Sequence, residues 1–219
     1  MNSMAWLVWQ GTLETLYMTL ASTTLAYIIG LPLGIILVVT GKEGIHPIPA
    51  LSVSIGVIVN ALRSAPFLIL LVALMPVTRM IVGTIIGPTA AIVPLTIAAA
   101  PFIARLTESS LKEVNAGVVE AAQSMGASVW NIIIKVMLAE AKPALFVGAA
   151  VSTITILGYS AMAGFVGAGG LGDIAIRYGY YKFDTQTMWI MILIIVVIVQ
   201  ILQEIGMKIA RVTDNRISQ

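Results

Sequence analysis

The chain has 219 residues, 59% of them hydrophobic and 10% charged, with a net charge of +2. Soluble domains carry about 25% charged residues, so this composition implies an integral membrane protein. Cysteine is absent and His46 is the single histidine, which excludes disulfides, thiolate chemistry and His- or Cys-built metal clusters. The twelve basic residues are dispersed rather than clustered, which gives no footprint for nucleic acid.

No Lys or Arg precedes Lys42, so the first apolar run lacks a basic leader and is expected to stay in place as a span. Residues 15–41 are uncharged, and Trp6, Trp9 and Tyr17 stand where interfacial aromatics are expected. Gly30 and Gly34 flank Pro32 in a small-xxx-small pattern that fits either a close-packing face or a kink. His46 falls in a short loop with Lys42, Glu43, Pro47 and Pro49. The spacing of charges then predicts spans over about 15–40, 51–77, 84–108, 143–163 and 185–206, within one domain of residues 12–212. Arg63 lies inside the second of these. It either lines a pathway or latches a gate, or else serves structure by bonding carbonyls freed near Pro66.

Residues 113–142 are the only long run with regularly spaced charge. Asn115 to Met125 reads as a short amphipathic helix ended by Gly126. A second piece carries Val129, Ile132, Ile133, Val136 and Met137 at helical spacing, and Pro143 suits the first turn of the next helix. A helix–Gly–helix between two spans suits a membrane-lying element or a plug for a partner's groove. Glu108, Glu113 and Glu120 are expected on solvated helix faces, without a cavity.

Five spans place the termini on opposite sides. With the N-terminus outside, Lys42, Arg105, Lys112, Lys135, Lys142, Lys208, Arg211 and Arg216 face inward, against Arg79, Arg177 and Lys182 outward. Basic residues favour the cytoplasmic side, so the 113–142 loop is expected in the cytoplasm. Gly167 to Gly172 fits G-x-G-x-x-G, but it follows a span rather than a strand and is read as close backbone approach, not a dinucleotide site. In Gly158-Tyr159-Ser160-Ala161-Met162, each residue fits either a pathway or helix packing. No carboxylate falls in mid-span, so proton-coupled transport loses support.

Glu120-Ala121-Ala122, Gly126, Val136 and Leu138 resemble the EAA loop of ABC-importer permeases, with Val136 and Ala139 departing from that pattern. Leu62 to Phe67, Glu120 to Gly126, and Gly158 to Gly172 followed by Arg177 to Tyr180 together resemble the permease subunit of methionine ABC importers, over about residues 12–212. The resemblance implies an all-α, type I importer permease fold with five transmembrane helices and a cytoplasmic coupling-helix loop, in a multi-pass plasma-membrane protein. It implies a homodimer served by two cytoplasmic ATP-binding subunits and an extracytoplasmic methionine-binding protein. ATP and Mg would be held by the partner ATPase, with no cofactor and no catalytic residue in this chain. Glu120, Ala121, Ala122, Gly126 and Leu138 would form the coupling loop. Met162 would lie at the gate, with Ser160 and Tyr159 beside it on the pathway. The stereoisomer of methionine is left open. A stand-alone secondary carrier for a small apolar amino acid is the other expectation.

Overall fold

Helices account for every regular segment in the described part of the chain, as a run of apolar residues in lipid requires when backbone groups must bond within their own segment. In a computed structural model, residues 2–213 are described, with side chains from Met4 onward. Arg216, one of the basic residues expected to face inward, lies outside them.

Helix α1 covers Asn2–Val39, α2 Pro49–Ser64, α3 Phe67–Ala73, α4 Met75–Val82 and α5 Pro88–Lys112. Then come α6 (Ala116–Ser124), α7 (Val129–Asn131), a π-helical turn (Ile132–Met137) and α8 (Leu138–Glu140). The chain continues through α9 (Lys142–Ala163), a 3₁₀ turn (Gly164–Val166), α10 (Gly170–Ile174), a second π turn (Ala175–Tyr180) and α11 (Thr185–Thr213). Among the described residues, four helices are long and apolar enough to cross a membrane, and the bent pair α2–α3 makes a fifth candidate. The stretch expected as one span over 51–77 is therefore three helices, α2, α3 and α4. Pro66 explains the break, because it lacks an amide hydrogen and disfavours helical backbone at the residue before it.

The long helices tolerate threonine because its hydroxyl can bond backward to the carbonyl four residues earlier. Thr12, Thr15, Thr23, Thr24 and Thr40 all donate this way within or at the end of α1. Each is thereby satisfied without a partner helix.

The chain divides into two compact units. The first takes residues up to Ala26, with Ala65–Ala99 and Ser152–Gln203; the second takes Tyr27–Ser64, Ala100–Val151 and Glu204 onward. In the second unit α1 packs on α5 through its glycines. A Cβ on Gly30 would stand 2.6 Å from the Ala100 carbonyl oxygen, and one on Gly34 would stand 2.5 Å from Thr107 Cβ. The Gly30–Gly34 pattern is thus a close-packing face.

In the first unit, Leu171, Ile174, Ala175 and Met191 form a core against Leu7, Val8 and Met188. Gly87 and Gly167 are joined there by a backbone hydrogen bond of 3.0 Å.

Candidate functional site

In the second unit, the 113–142 loop folds over its own core. Asn115 caps α6 by accepting the Gly117 amide on its side-chain oxygen at 2.8 Å. Gly126 then adopts φ +76°, with open space where a Cβ would be, and so reverses the chain after α6. Ser128 caps the next segment through the Asn131 amide. Ala122, Ile132, Ile133 and Met137 are buried with Leu111, Val39 and Ala141.

The regular helical stripe expected from Val129 to Met137 is only partly realised. A π turn over Ile132–Met137 adds a residue per turn, so Ile132, Ile133 and Met137 go inward while Val129 stays exposed. Among the sequence candidates, Ala122 is buried and Leu138 half-buried, while Glu120, Ala121 and Gly126 are exposed. The loop therefore presents Glu120, Ala121, Gln123, Met125 and Trp130 outward from a packed base.

Glu108 corrects the expectation of a solvated face. Its side chain is 12% exposed and pairs with Arg105 and Lys112 at once. The Arg105 guanidinium reaches α2 as well, donating to the Gly56 carbonyl at 3.1 Å and to Asn60 Oδ1 at 2.8 Å. One cation thus joins α2 to α5 inside this unit. A cavity of about 680 Å³ opens beside the network, lined in part by Lys42, Glu108, Lys112, Glu120 and Gln123. The sequence expectation of no cavity near these carboxylates is overturned: α5, α6 and the 41–45 loop leave a space between them that Glu108 and Glu120 both line.

In the first unit, the Gly-rich run turns the chain back on α9. A Cβ on Gly172 would lie 2.5 Å from Ala161 Cα, and one on Gly164 would lie 2.6 Å from the Gly172 carbonyl carbon. The backbones touch, which is why side chains are missing there. α1 receives this turn: the Gly170 amide donates to Glu14 Oε2 at 2.8 Å and the Leu171 amide to Thr15 Oγ1 at 2.9 Å. Asp173 is buried and ion-paired to the exposed Arg177. Hydrogen bonding to Asp173 raises the Arg177 pKa above its already high value, so that guanidinium stays charged.

Tyr159, Ser160 and Met162 share the end of α9 but not one environment. Tyr159 stacks on Phe67. Ser160 is buried and donates to the Leu157 carbonyl oxygen at 2.8 Å, while Met162 is 40% exposed. Arg63 is exposed in the last turn of α2, and among the described residues none hydrogen-bonds its guanidinium. Sequence reasoning missed Arg105 and Glu14 as organising residues, and it marked Phe67 only as the end of the Leu62–Phe67 block, without its partner. A basic residue three and seven positions from a glutamate and a lysine was the available signal for Arg105; nothing local marked Glu14.

The chain is similar throughout to known transport proteins. It is 51% identical to the probable D-methionine transport system permease protein MetI of Vibrio cholerae, covering 94% of this chain and 92% of that one. It is 44% identical to the methionine import system permease protein MetP of Bacillus subtilis, covering 95% and 94%. A solved subunit in an inward-facing form of the MetNI methionine ABC transporter matches with a TM-score of 0.97 at 46% identity, covering 98% of this chain and all of that one. The broken second helix, the Gly-closed turn and the capped surface loop all lie within residues 30–205, which match a single family model. The chain belongs to the family of binding-protein-dependent transport system inner membrane components.

Proposed function

We propose that this chain is the permease subunit of an ATP-driven ABC importer and forms the membrane pathway for methionine. It works as a homodimer, because five helices are few to enclose an amino-acid path and a two-fold contact doubles them. ATP and its Mg are handled by two cytoplasmic partner subunits, and an extracytoplasmic binding protein delivers the substrate. The N-terminus is outside and the C-terminus inside.

The observation that carries the coupling assignment is a rigid base under an exposed face. α6 is capped at Asn115, closed by Gly126 and fixed by buried Ala122, yet it holds Glu120 and Ala121 out where a partner can grip them. A surface helix built this firmly transmits displacement rather than absorbing it. Leu138, at the far end of the loop, ties the lever back to the same core. ATP-driven closure of the partners then shifts the permease between two arrangements, and transport follows from the different stability of each, not from chemistry in this chain.

Met162 closes the path with a soft, adaptable side chain, and its exposure in the single chain supports a role against a second copy. Tyr159 positions that segment through its stack, and Ser160 stabilises the end of α9 through its bond to Leu157. Arg63 is exposed and hydrogen-bonded by no described residue, which supports a pathway role over bonding of the carbonyls near Pro66.

Reconstitution with the ATPase subunits tests the reading. Glu120→Ala and Gly126→Val should insert normally while separating ATP hydrolysis from methionine uptake. Full coupling in both variants, or methionine transport by the purified chain without any ATPase, would sink it.

A further inference from the structure

The turn joining the second π segment to α11 bears Tyr180, Tyr181, Lys182 and Phe183, and nothing in the functional reading uses it. Phe183 is 87% exposed and adopts φ +56°, a left-handed conformation that non-glycine residues rarely take. The conformation is held by the chain around it: the Phe183 amide donates to the Tyr180 carbonyl, and the Asp184 amide donates to the Tyr178 carbonyl at 3.2 Å. Asp184 then caps α11 through the Thr187 amide and hydroxyl. A large apolar ring is therefore fixed pointing outward, at the cost of backbone strain, where water alone would disfavour it. Tyr180 and Tyr181 are exposed alongside, and the Lys182 ammonium sits 4.2 Å from the centre of the Tyr178 ring.

The position of this turn along α11 identifies what covers it. α11 is the most apolar of the candidate spans and only 6% of its apolar window is buried within the chain, so most of its surface is left to be covered by lipid or by a second copy. The helix is uncharged from Thr185 to Gln203 and meets its first charge at Glu204. A hydrocarbon layer of about 30 Å takes about 20 helical residues. Counted back from Glu204, that length reaches Asp184. The aromatic turn is consequently set at the level of glycerol and phosphate, where Tyr and Trp rings favour the boundary and a lysine finds phosphate oxygens.

We propose that Tyr180, Tyr181, Lys182 and Phe183 form a phospholipid-interface anchor that fixes the depth of α11, with Phe183 inserted beside the upper acyl chain and Lys182 at the phosphate. The proposed orientation of the chain decides only which leaflet is engaged, the outer one.

The test uses the full-length permease with its ATPase partners in phosphatidylethanolamine–phosphatidylglycerol vesicles. Trp6, Trp9, Trp130 and Trp189 are replaced by Phe and a single tryptophan is introduced by Phe183→Trp. Lipids brominated near the glycerol end of the chain should quench that tryptophan by about half, and lipids brominated near the chain terminus far less. A companion variant that keeps only Trp189 should be quenched relatively more by the deeper bromines than position 183 is, since five helical residues beyond Asp184 set it about 7.5 Å further in. Free access of aqueous acrylamide to position 183 with no quenching by either lipid would overturn the anchor. So would protection from acrylamide that arises only when a binding protein is added, which would make the turn a protein-docking surface. Either result leaves the importer reading intact, because quenching depth does not depend on ATP coupling.

Discussion

Phe67 and Tyr159 lie ring on ring, with centroids 4.6 Å apart and planes 6° from parallel. Phe67 is the first residue after the break at Pro66, and Tyr159 is the second residue of the block from Gly158 to Met162. The stack therefore fastens the start of α3 to the end of α9 within one unit. Offset aromatic pairs add about 0.5–1.5 kcal/mol beyond area burial. Phe67→Leu keeps most of the buried volume and should lower the thermal midpoint of the detergent-solubilised protein by an amount matching that loss. Tyr159→Phe retains the stack and should leave the midpoint in place. Equal midpoints for Phe67→Leu and the parent would show that the pair does not hold these helices.

Gly172 and Gly158 make opposite predictions for the same substitution. A methyl on Gly172 would meet the Ala161 backbone, which cannot yield as a flexible side chain can, so Gly172→Ala should abolish recovery of a monodisperse protein. Gly158 has nothing within 4 Å of the same position, so Gly158→Ala should be tolerated and gain about 1 kcal/mol of helix propensity. Size-exclusion yield and thermal midpoint read both.

Arg105 should not be replaceable by Lys. An ammonium is a single point charge and cannot serve Glu108, the Gly56 carbonyl and Asn60 together as the guanidinium fork does. Arg105→Lys should destabilise by about 1.5–3 kcal/mol, the scale of a hydrogen bond to a charged group. Asn60→Ala should lose less, and the double variant should lose less than the sum, since the two residues share one bond. Strict additivity in chemical denaturation would refute the shared network.

Asp184 carries a pH signature. The Thr187 hydroxyl, followed by the Thr187 and Gln186 amides, lowers its carboxyl pKa below the usual aspartate value. A lowered folded-state pKa means the cap stabilises fully above the unfolded value and is lost as pH falls through the folded one. Asp184→Ala should thus lower the thermal midpoint at neutral pH, and its gap from the parent should close only in acid below the ordinary aspartate range. Asp184→Asn, which still accepts from the amides, should fall between the two and change little with pH. A gap between Asp184→Ala and the parent that is constant down through that range would show that ionised Asp184 does not cap α11.

Much of the helical frame is written in local order. Pro88 marks the start of α5, Asn115 and Gly126 bracket α6, and Gly164 ends α9, because each of these choices depends on backbone groups within a few residues. The site was legible only where its residues are neighbours in the chain. Glu120-Ala121-Ala122 and the block from Gly158 can be read as motifs, but their burial cannot. Ser160 and Met162, two residues apart, end in opposite environments because α9 turns one toward a packed face and the other away. The π turn over Ile132–Met137 also escaped the pattern, since a helical period read from hydrophobicity assumes a constant rotation per residue.

The sequence by itself determined that this protein is a helical membrane chain, because lipid forbids unbonded backbone and long uncharged runs mark the spans. Only the tertiary structure decided that Arg105 bridges to Gly56 and Asn60, that Glu14 receives the Gly170 amide, and that Phe67 meets Tyr159. Those partners lie tens of residues apart or more, and no local pattern encodes which helix face another helix will cover. Burial of apolar surface is non-directional. Close approach at glycines and the need to pair each buried polar group select one packing from the many that hydrophobicity allows.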